Sequence, residues 1–242
     1  MKNKNLEEWA NSFSGCDGGD INSDVWLCGI EWGYTNVTDK NREEYYKKTL
    51  PTWIKKGKEK LNTDYNFFED KESDGIEYPF NLAFKKIFFS IQKELNFPNK
   101  LLKLNLSPIP FNKDNDKLWT QAIQEATNFK TKESFIKYII NLNRFTKIRD
   151  KYKPKLIFCI GNGRRTEFVN TFFGKYNLKL QRATIKPDIN ERNQNNRYIY
   201  YAKHDNTFFV VTPFSTNSNG LNSDFLKEEV AKKIIKLLQE TE

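Results

Sequence analysis

The chain has 242 residues, and 38% of them are hydrophobic, so it can bury a full core and we expect one domain over residues 1–242. Its formal charge is +9. Its three cysteines (Cys16, Cys28 and Cys159) lack zinc or iron–sulfur spacing, and the sequence shows neither a signal peptide nor a membrane-spanning apolar run. We therefore expect no metal, no cofactor, no membrane insertion and a cytoplasmic location. The positive charge favours a polyanion partner such as nucleic acid or anionic lipid; alternatively, it reflects only a solvated, lysine-rich surface.

Three apolar runs have the continuous character of strands buried on both faces. They cover residues 24–30 (DVWLCGI), 101–106 (LLKLNL) and 156–160 (LIFCI). Segments with helical spacing alternate with these runs. They cover residues 80–95, 132–149, 164–173 and 223–238. This alternation predicts an α/β domain with a mostly parallel sheet that helices cover on both faces.

Two segments depart from the alternation. Residues 35–75 form a long, charged, aromatic-rich insertion, which we expect to be helical in part and interrupted at Pro51. Residues 184–197 (TIKPDINERNQNNR) combine a proline with a cluster of Asn and Gln, a composition that predicts an exposed loop.

Two late runs, over residues 198–202 and 208–211, predict a β-hairpin around an Asp-Asn turn. We expect the only histidine, His204, to be a solvated residue of that turn. Ligands of parallel α/β sheets gather where strands end at their carboxyl termini. The segments expected there are EWGY (31–34), SPIPFN (107–112), GNGRR (161–165) and TPFSTNSNG (212–220).

The order of these segments resembles the uracil-DNA glycosylase superfamily. GIEWG (29–33) is similar to the family's first motif, written GQDPY, GEAPG or GINPG, and LLKLNLSPIPF (101–111) is similar to its Asn-containing strand. TPFSTNSNGLNSDF (212–225) stands where the family has an HPS-type loop. Two further matches are the strand-turn-helix PKLIFCIGNGRRTEFV (154–169) and the proline-led helix YPFNLAFKKIFFSIQKEL (78–95). The resemblance spans most of the chain from residue 20 onward, apart from the insertion, and implies a three-layer α/β/α sandwich.

The resemblance implies that Glu31 is the catalytic residue of a monofunctional DNA glycosylase, since the first motif holds no lysine for a Schiff base. A carboxylate below the sugar stabilises the positive charge that develops as the base leaves. The alternative is an ion pair between Glu31 and an arginine of the same edge. Family members carry Asp, Asn or Ala at this position; Trp32 replaces a proline and Thr212 replaces a histidine.

The resemblance also implies which residues bind a flipped-out base and which bind DNA. The predicted substrate-binding residues are Gly29, Trp32, Gly33, Tyr34, Tyr78, Phe80, Asn105 and Thr212. The predicted DNA-binding residues are Arg164, Arg165, Ser215, Thr216, Asn217 and Ser218.

Each group has a simpler alternative. Asn105 would read the Watson–Crick edge, or cap the strand end. Tyr78 and Phe80 would stack on the base, or pack in the core. Arg164 and Arg165 would bind phosphate, or form ion pairs, and the Ser/Asn-rich loop 215–218 would be a plain surface connection.

Gly33 replaces the tyrosine that excludes substituents on carbon 5 in strict uracil enzymes, which leaves that side of the pocket open. We therefore expect a 5-modified pyrimidine, such as the hydroxymethylated or glucosylated cytosine of bacteriophage DNA, and a role of a monomeric enzyme in anti-phage defence. The alternatives are a uracil-DNA repair glycosylase, an inactive nucleic-acid-binding protein of the same fold, and an enzyme that acts on free nucleosides.

Overall fold

The structure, a computed structural model, describes residues 4–30, 40–71, 79–111, 118–214 and 220–240. Its helices are α1 (Lys4–Ala10), α2 (Arg42–Lys56), α3 (Pro79–Leu95), α4 (Gln121–Thr127), α5 (Lys132–Asn141), α6 (Thr146–Tyr152), α7 (Arg165–Phe173) and α8 (Asp224–Gln239). Its strands are β1 (Gly18–Gly19), β2 (Val25–Gly29), β3 (Leu102–Asn105), β4 (Leu156–Ile160), β5 (Gln181–Ile185), β6 (Arg197–His204) and β7 (Thr207–Thr212).

Within these ranges the strands form one seven-stranded sheet in the order β1-β3-β2-β4-β7-β6-β5. The four central strands, β3, β2, β4 and β7, are parallel to one another. The outer strands are antiparallel to their neighbours. The predicted α/β class is confirmed, and the sheet is mixed with a parallel centre.

Helices cover both faces of the sheet. One apolar cluster packs α1, α2, α4, α5 and α7 against side chains that include Trp26 and Cys28 of β2. The other packs α3 and α8 against the opposite face, which includes Val25 and Leu27. Successive residues of β2 thus enter opposite clusters, as the pleat of a strand requires. Burial on both faces explains why these strands are continuous apolar runs.

The prediction of one helix over residues 132–149 is wrong, because α5 and α6 are separate. Asn143 lies between them with φ 53°, a left-handed conformation that the interior of an α-helix excludes. The break allows Phe145 to enter the core and Arg144 to reach the N-terminal segment. The break therefore permits tertiary contacts that helical spacing alone does not reveal.

The predicted interruption at Pro51 does not occur either, since α2 continues through it. Proline has no N–H to donate to the carbonyl of Lys47, so the helix lacks one internal hydrogen bond there. Tyr46, Leu50 and Ile54 recur on the buried side of the same helix. Their packing holds α2 together across the proline.

The ends of the predicted loop 184–197 belong to strands, so the loop itself covers residues 186–196. The run QRATI gave no strand signal because only Ala183 and Ile185 in it are buried. It pairs antiparallel with β6 along the edge of the sheet.

His204 is not a residue of the hairpin turn, which Asp205 and Asn206 form. It ends β6 opposite Thr207, with its ring centroid 4.2 Å from that of Tyr176 and 5.7 Å from that of Phe173. Only 20% of its side chain is exposed. The expectation of a solvated histidine is therefore wrong, because two aromatic rings cover it.

Candidate functional site

The four parallel strands end side by side, and we call this border of the sheet the carboxyl edge. β2 ends at Gly29, β3 at Asn105, β4 at Ile160 and β7 at Thr212. β3 and β4 lie on opposite sides of β2. Open α/β sheets bind ligands at such a point, where successive connections leave in opposite directions. The predicted convergence of four strand ends is thus confirmed, and the end of β2 is the expected ligand position.

Several predicted site residues lie outside the described residues. They are Glu31, Trp32, Gly33, Tyr34, Tyr78, Ser215, Thr216, Asn217 and Ser218. Glu31 follows β2 after one intervening residue, Ile30, in sequence. The roles of all nine stay predictions.

Asn105 is held within the protein at the end of β3. Its Nδ2 donates to the carbonyl oxygen of Gly15 at 2.8 Å and to Oδ2 of Asp17 at 3.0 Å. These two acceptors fix the amide, because the reverse orientation would place its oxygen against two other oxygens. The side chain is 2% exposed. The arrangement matches the strand-end alternative, and reading a base through these N–H groups would require both bonds to break.

A buried arginine holds the N-terminal segment against the end of β3. Arg144 Nε donates to the carbonyl of Ser12 at 2.7 Å, and its Nη1 donates to the carbonyl of Asn105 at 3.3 Å. Its Nη2 donates to the carbonyl of Ser14. Burial lowers the pKa of Arg144 from its usual value. One guanidinium therefore connects two backbone segments through three carbonyls beside the candidate site.

Cys16, near the carboxyl edge, is a poor nucleophile. Burial raises the pKa of the Cys16 thiol to about 11, although the charge of Arg144 acts in the opposite direction. Such a thiol stays protonated at neutral pH. Cys28 and Cys159 are buried neighbours in β2 and β4.

A polar cluster that the sequence did not reveal surrounds Lys103. Its Nζ lies 3.4 Å from Oδ1 of Asp17 and 3.9 Å from Oδ2 of Asp70. The same Nζ lies 3.3 Å from the hydroxyl of Tyr65 and 3.3 Å from Oδ1 of Asn81. We call these five residues the Lys103 cluster. Lys103 is 13% exposed, so its charge is compensated mainly by its protein neighbours.

The Lys103 cluster connects the insertion to Asn105. Tyr65 and Asp70 belong to the predicted insertion, and the tyrosine hydroxyl donates to Oδ2 of Asp70 at 2.8 Å. Asp17 accepts hydrogen bonds from Asn105 and also pairs with Lys103. The only signal in the sequence was a lysine inside an apolar strand, since its partners are remote along the chain.

Phe80 lies beside this cluster at the start of α3. The Nζ of Lys103 is 5.7 Å from the centroid of its ring. The ring is partly buried against the α3 and α8 side of the core. Core packing, the simpler of the two sequence interpretations, therefore describes Phe80, and stacking on a base stays a prediction.

Thr212 and Gly29 are backbone positions of the carboxyl edge. The hydroxyl of Thr212 donates to the carbonyl of Cys159 at 3.4 Å, and the residue is 1% exposed. Substrate contact by this hydroxyl would therefore require the end of β7 to move. The carbonyl of Gly29 accepts a hydrogen bond from the backbone N–H of Leu106 at 3.0 Å.

Gly161, the first residue of GNGRR, occupies a position that requires glycine. Its φ is 125°, and a Cβ there would lie 2.7 Å from Cδ1 of Ile30. A side chain at this position would push against the residue that follows β2. The close approach of the turn after β4 to the end of β2 therefore depends on glycine.

The two predicted DNA-binding arginines differ. Arg164 Nη1 lies 3.0 Å from Glu133 and 3.0 Å from Glu167, which is the ion-pair alternative. Arg165 begins α7 and is exposed, with its guanidinium 4.8 Å from the ring centroid of Tyr200. Arg165 alone of the two thus presents its charge to solvent.

In the described ranges, no group of three or more His, Cys, Asp or Glu side chains is arranged to hold a metal ion. No helix among the described residues has the length and apolar character needed to cross a membrane. Comparisons with protein-family models, curated proteins and solved structures give no match. The chain is an α/β protein with a mixed sheet whose central strands are parallel, and its candidate site lies at the carboxyl edge.

Proposed function

We propose that the protein is a DNA glycosylase that hydrolyses the N-glycosidic bond of a flipped-out, 5-modified pyrimidine. The observation that carries the proposal is the arrangement of the four strands that precede the motif segments, since these strands are adjacent and parallel and end at one edge. Short glycine-bounded motifs occur widely, but their order along the chain and the common edge at which their strands end together favour a shared site.

Glu31 carries the proposed chemistry. Base departure makes the sugar positive and the base negative, so a fixed carboxylate beneath the sugar lowers the barrier. The carboxylate also orients the attacking water. In sequence it stands two residues after the last residue of β2, the strand at whose end the sheet is expected to bind a ligand, which supports this role.

Asn105 indicates which kind of base edge fits. Both of its amide protons are held by Gly15 and Asp17, which leaves Oδ1 as the atom that a base would meet. An amide oxygen accepts from an amino group, such as that on carbon 4 of cytosine. Uracil presents an oxygen at that position, which Oδ1 repels and which needs a donor, so only its N3–H could donate to Oδ1. The fixed amide therefore favours a cytosine-type base over uracil.

The contacts of the insertion favour a substrate base that is enlarged at carbon 5. Tyr65 and Asp70 bring it against β3 and α3, within one hydrogen-bonded network of Asn105. These contacts support the proposal that the insertion forms an extra wall around a larger base. Hydroxymethylated or glucosylated cytosine of phage DNA meets both conditions.

The hydrogen bonds from Asn105 to Gly15 and Asp17 also favour a second candidate, a nucleic-acid-binding protein of this fold without catalysis. If the amide serves only to cap β3, the edge lacks its base-reading group. This candidate binds DNA and leaves every glycosidic bond intact, so product analysis separates the two.

The test is base release. The protein is incubated with phage DNA containing plain, hydroxymethylated or glucosylated cytosine, and with a uracil-containing oligonucleotide, and liberated bases are identified by mass spectrometry. Heat-denatured protein is the control. We expect release of a modified cytosine and little uracil. Efficient uracil release would indicate the repair enzyme, and no release from any DNA would contradict the glycosylase.

A further inference from the structure

The hairpin of β5 and β6 has one covered and one open face. Ala183 and Ile185 of β5 point into the cluster that α8 covers. The alternate residues Arg182 and Thr184 point to the opposite face and are exposed. This open face continues the sheet beyond β7, on the side where α7 lies.

Two arginines lie on tyrosine rings across this open face. The guanidinium of Arg182 is 4.8 Å from the ring centroid of Tyr198, and that of Arg165 is 4.8 Å from the ring centroid of Tyr200. Both arginines are exposed and both tyrosines are partly buried. We call these four residues the Arg–Tyr face. In the described part of the chain no carboxylate pairs with either guanidinium.

The Arg–Tyr face borders the carboxyl edge. Tyr200 pairs with Val211, the residue before the end of β7, and Arg182 pairs with Tyr200. The turn after β4 is attached to it, because Asn162 Nδ2 donates to the carbonyl of Tyr198 at 2.6 Å. The face is therefore held in a fixed position beside the candidate site.

We propose that the Arg–Tyr face binds the phosphate backbone of DNA next to the flipped nucleotide. A guanidinium that rests on a ring is already oriented toward phosphate oxygens. Arg165 Nη1 donates to the carbonyl of Asn162 at 3.1 Å, so its other N–H groups are the ones offered to a phosphate. An arginine paired with a carboxylate would gain little from a phosphate, whereas among the described residues these two have no carboxylate partner. The inference rests on the proposed function for its choice of DNA as the polyanion.

The variants are Arg165→Gln, Arg182→Gln and their combination. The matched control is Lys151→Gln, which also removes a cation stacked on a tyrosine, since Lys151 Nζ lies 4.9 Å from the ring centroid of Tyr152. That pair ends α6, just before the amino end of β4 and thus at the opposite border of the sheet. Thermal unfolding of each variant checks that it is folded.

Kd for a labelled duplex and a labelled single strand is measured by fluorescence anisotropy across a series of salt concentrations. Each lost phosphate contact lowers the slope of log Kd against log salt by about one. We expect a decrease of about one for each single variant, about two for the double variant, and none for Lys151→Gln. A double Arg→Lys variant keeps the charges and is expected to keep the slope.

An unchanged slope in the double Gln variant, or an equal decrease in the control, would overturn the inference. Base release by the wild-type protein, measured on the same DNA, separates this result from the proposed function. Base release with an unchanged slope would contradict DNA binding by the Arg–Tyr face and support the glycosylase proposal. A slope that depends on the two arginines, without any base release, would support DNA binding by the Arg–Tyr face and contradict the glycosylase proposal.

Discussion

Lys103 shows how a single residue connects distant parts of this chain. It stands inside a strand whose neighbours are apolar, and two carboxylates of remote segments, Asp17 and Asp70, lie near its Nζ. Asp17 in turn fixes the amide of Asn105. The lysine thus stabilises the strand end that bears the candidate base-reading residue.

Replacing Lys103 by methionine is expected to lower the free energy of unfolding by about 1–3 kcal/mol, because two partly buried carboxylates lose their cation. The control is Lys100→Met, which removes an exposed pair with Asp20 at 3.8 Å and should change stability by about 0.5 kcal/mol or less. Urea denaturation measures both. Equal stability of the two variants would show that the Lys103 cluster contributes little.

Residue roles at the carboxyl edge were only partly predictable. The strand that contains Asn105 was found from its apolar run, but the two acceptors of its amide belong to a segment about 90 positions away along the chain. Thr212 likewise appears as a rim residue in sequence, while its hydroxyl bonds inside the sheet. Patterns of hydrophobicity carry no information on such long-range polar contacts.

At the scale of elements, strands that are buried on both faces could be predicted from the sequence, and a strand with an exposed face could not. β2, β3 and β4 were predicted to within about one residue because both of their faces are buried. β5 was missed because it lies at the sheet edge with one open face. The single helix expected over residues 132–149 failed at Asn143, where backbone geometry overrides helical spacing.

Helix α2 gives a test of packing against local propensity. Pro51→Ala supplies the missing N–H to the carbonyl of Lys47, and we expect the free energy of unfolding to rise by about 1–2 kcal/mol. Lys55→Ala, an exposed change in the same helix, should have little effect. Thermal and urea unfolding report the difference. A less stable Pro51→Ala variant would mean that the proline itself contributes to the packing of α2.

At the scale of the whole molecule, the order of strands joins sequence motifs that are far apart. β2 has β3 on one side and β4 on the other, with β7 next to β4, so the strands that precede four distant motif segments end at one edge. The resemblance predicted which segments these are. Its central residue, Glu31, lies outside the described residues, so its role depends on chemistry and on experiment.

The most direct test of the proposed function is abasic-site formation by Glu31→Gln. The substitution keeps the size of the side chain and removes the charge that stabilises the sugar cation. Wild-type protein and variant are incubated with DNA that carries the modified cytosine, and alkali-induced strand breaks are scored on a gel beside a binding assay. We expect strand breaks with the wild type only and similar DNA binding by both proteins. Full cleavage by the variant would contradict the central role of Glu31.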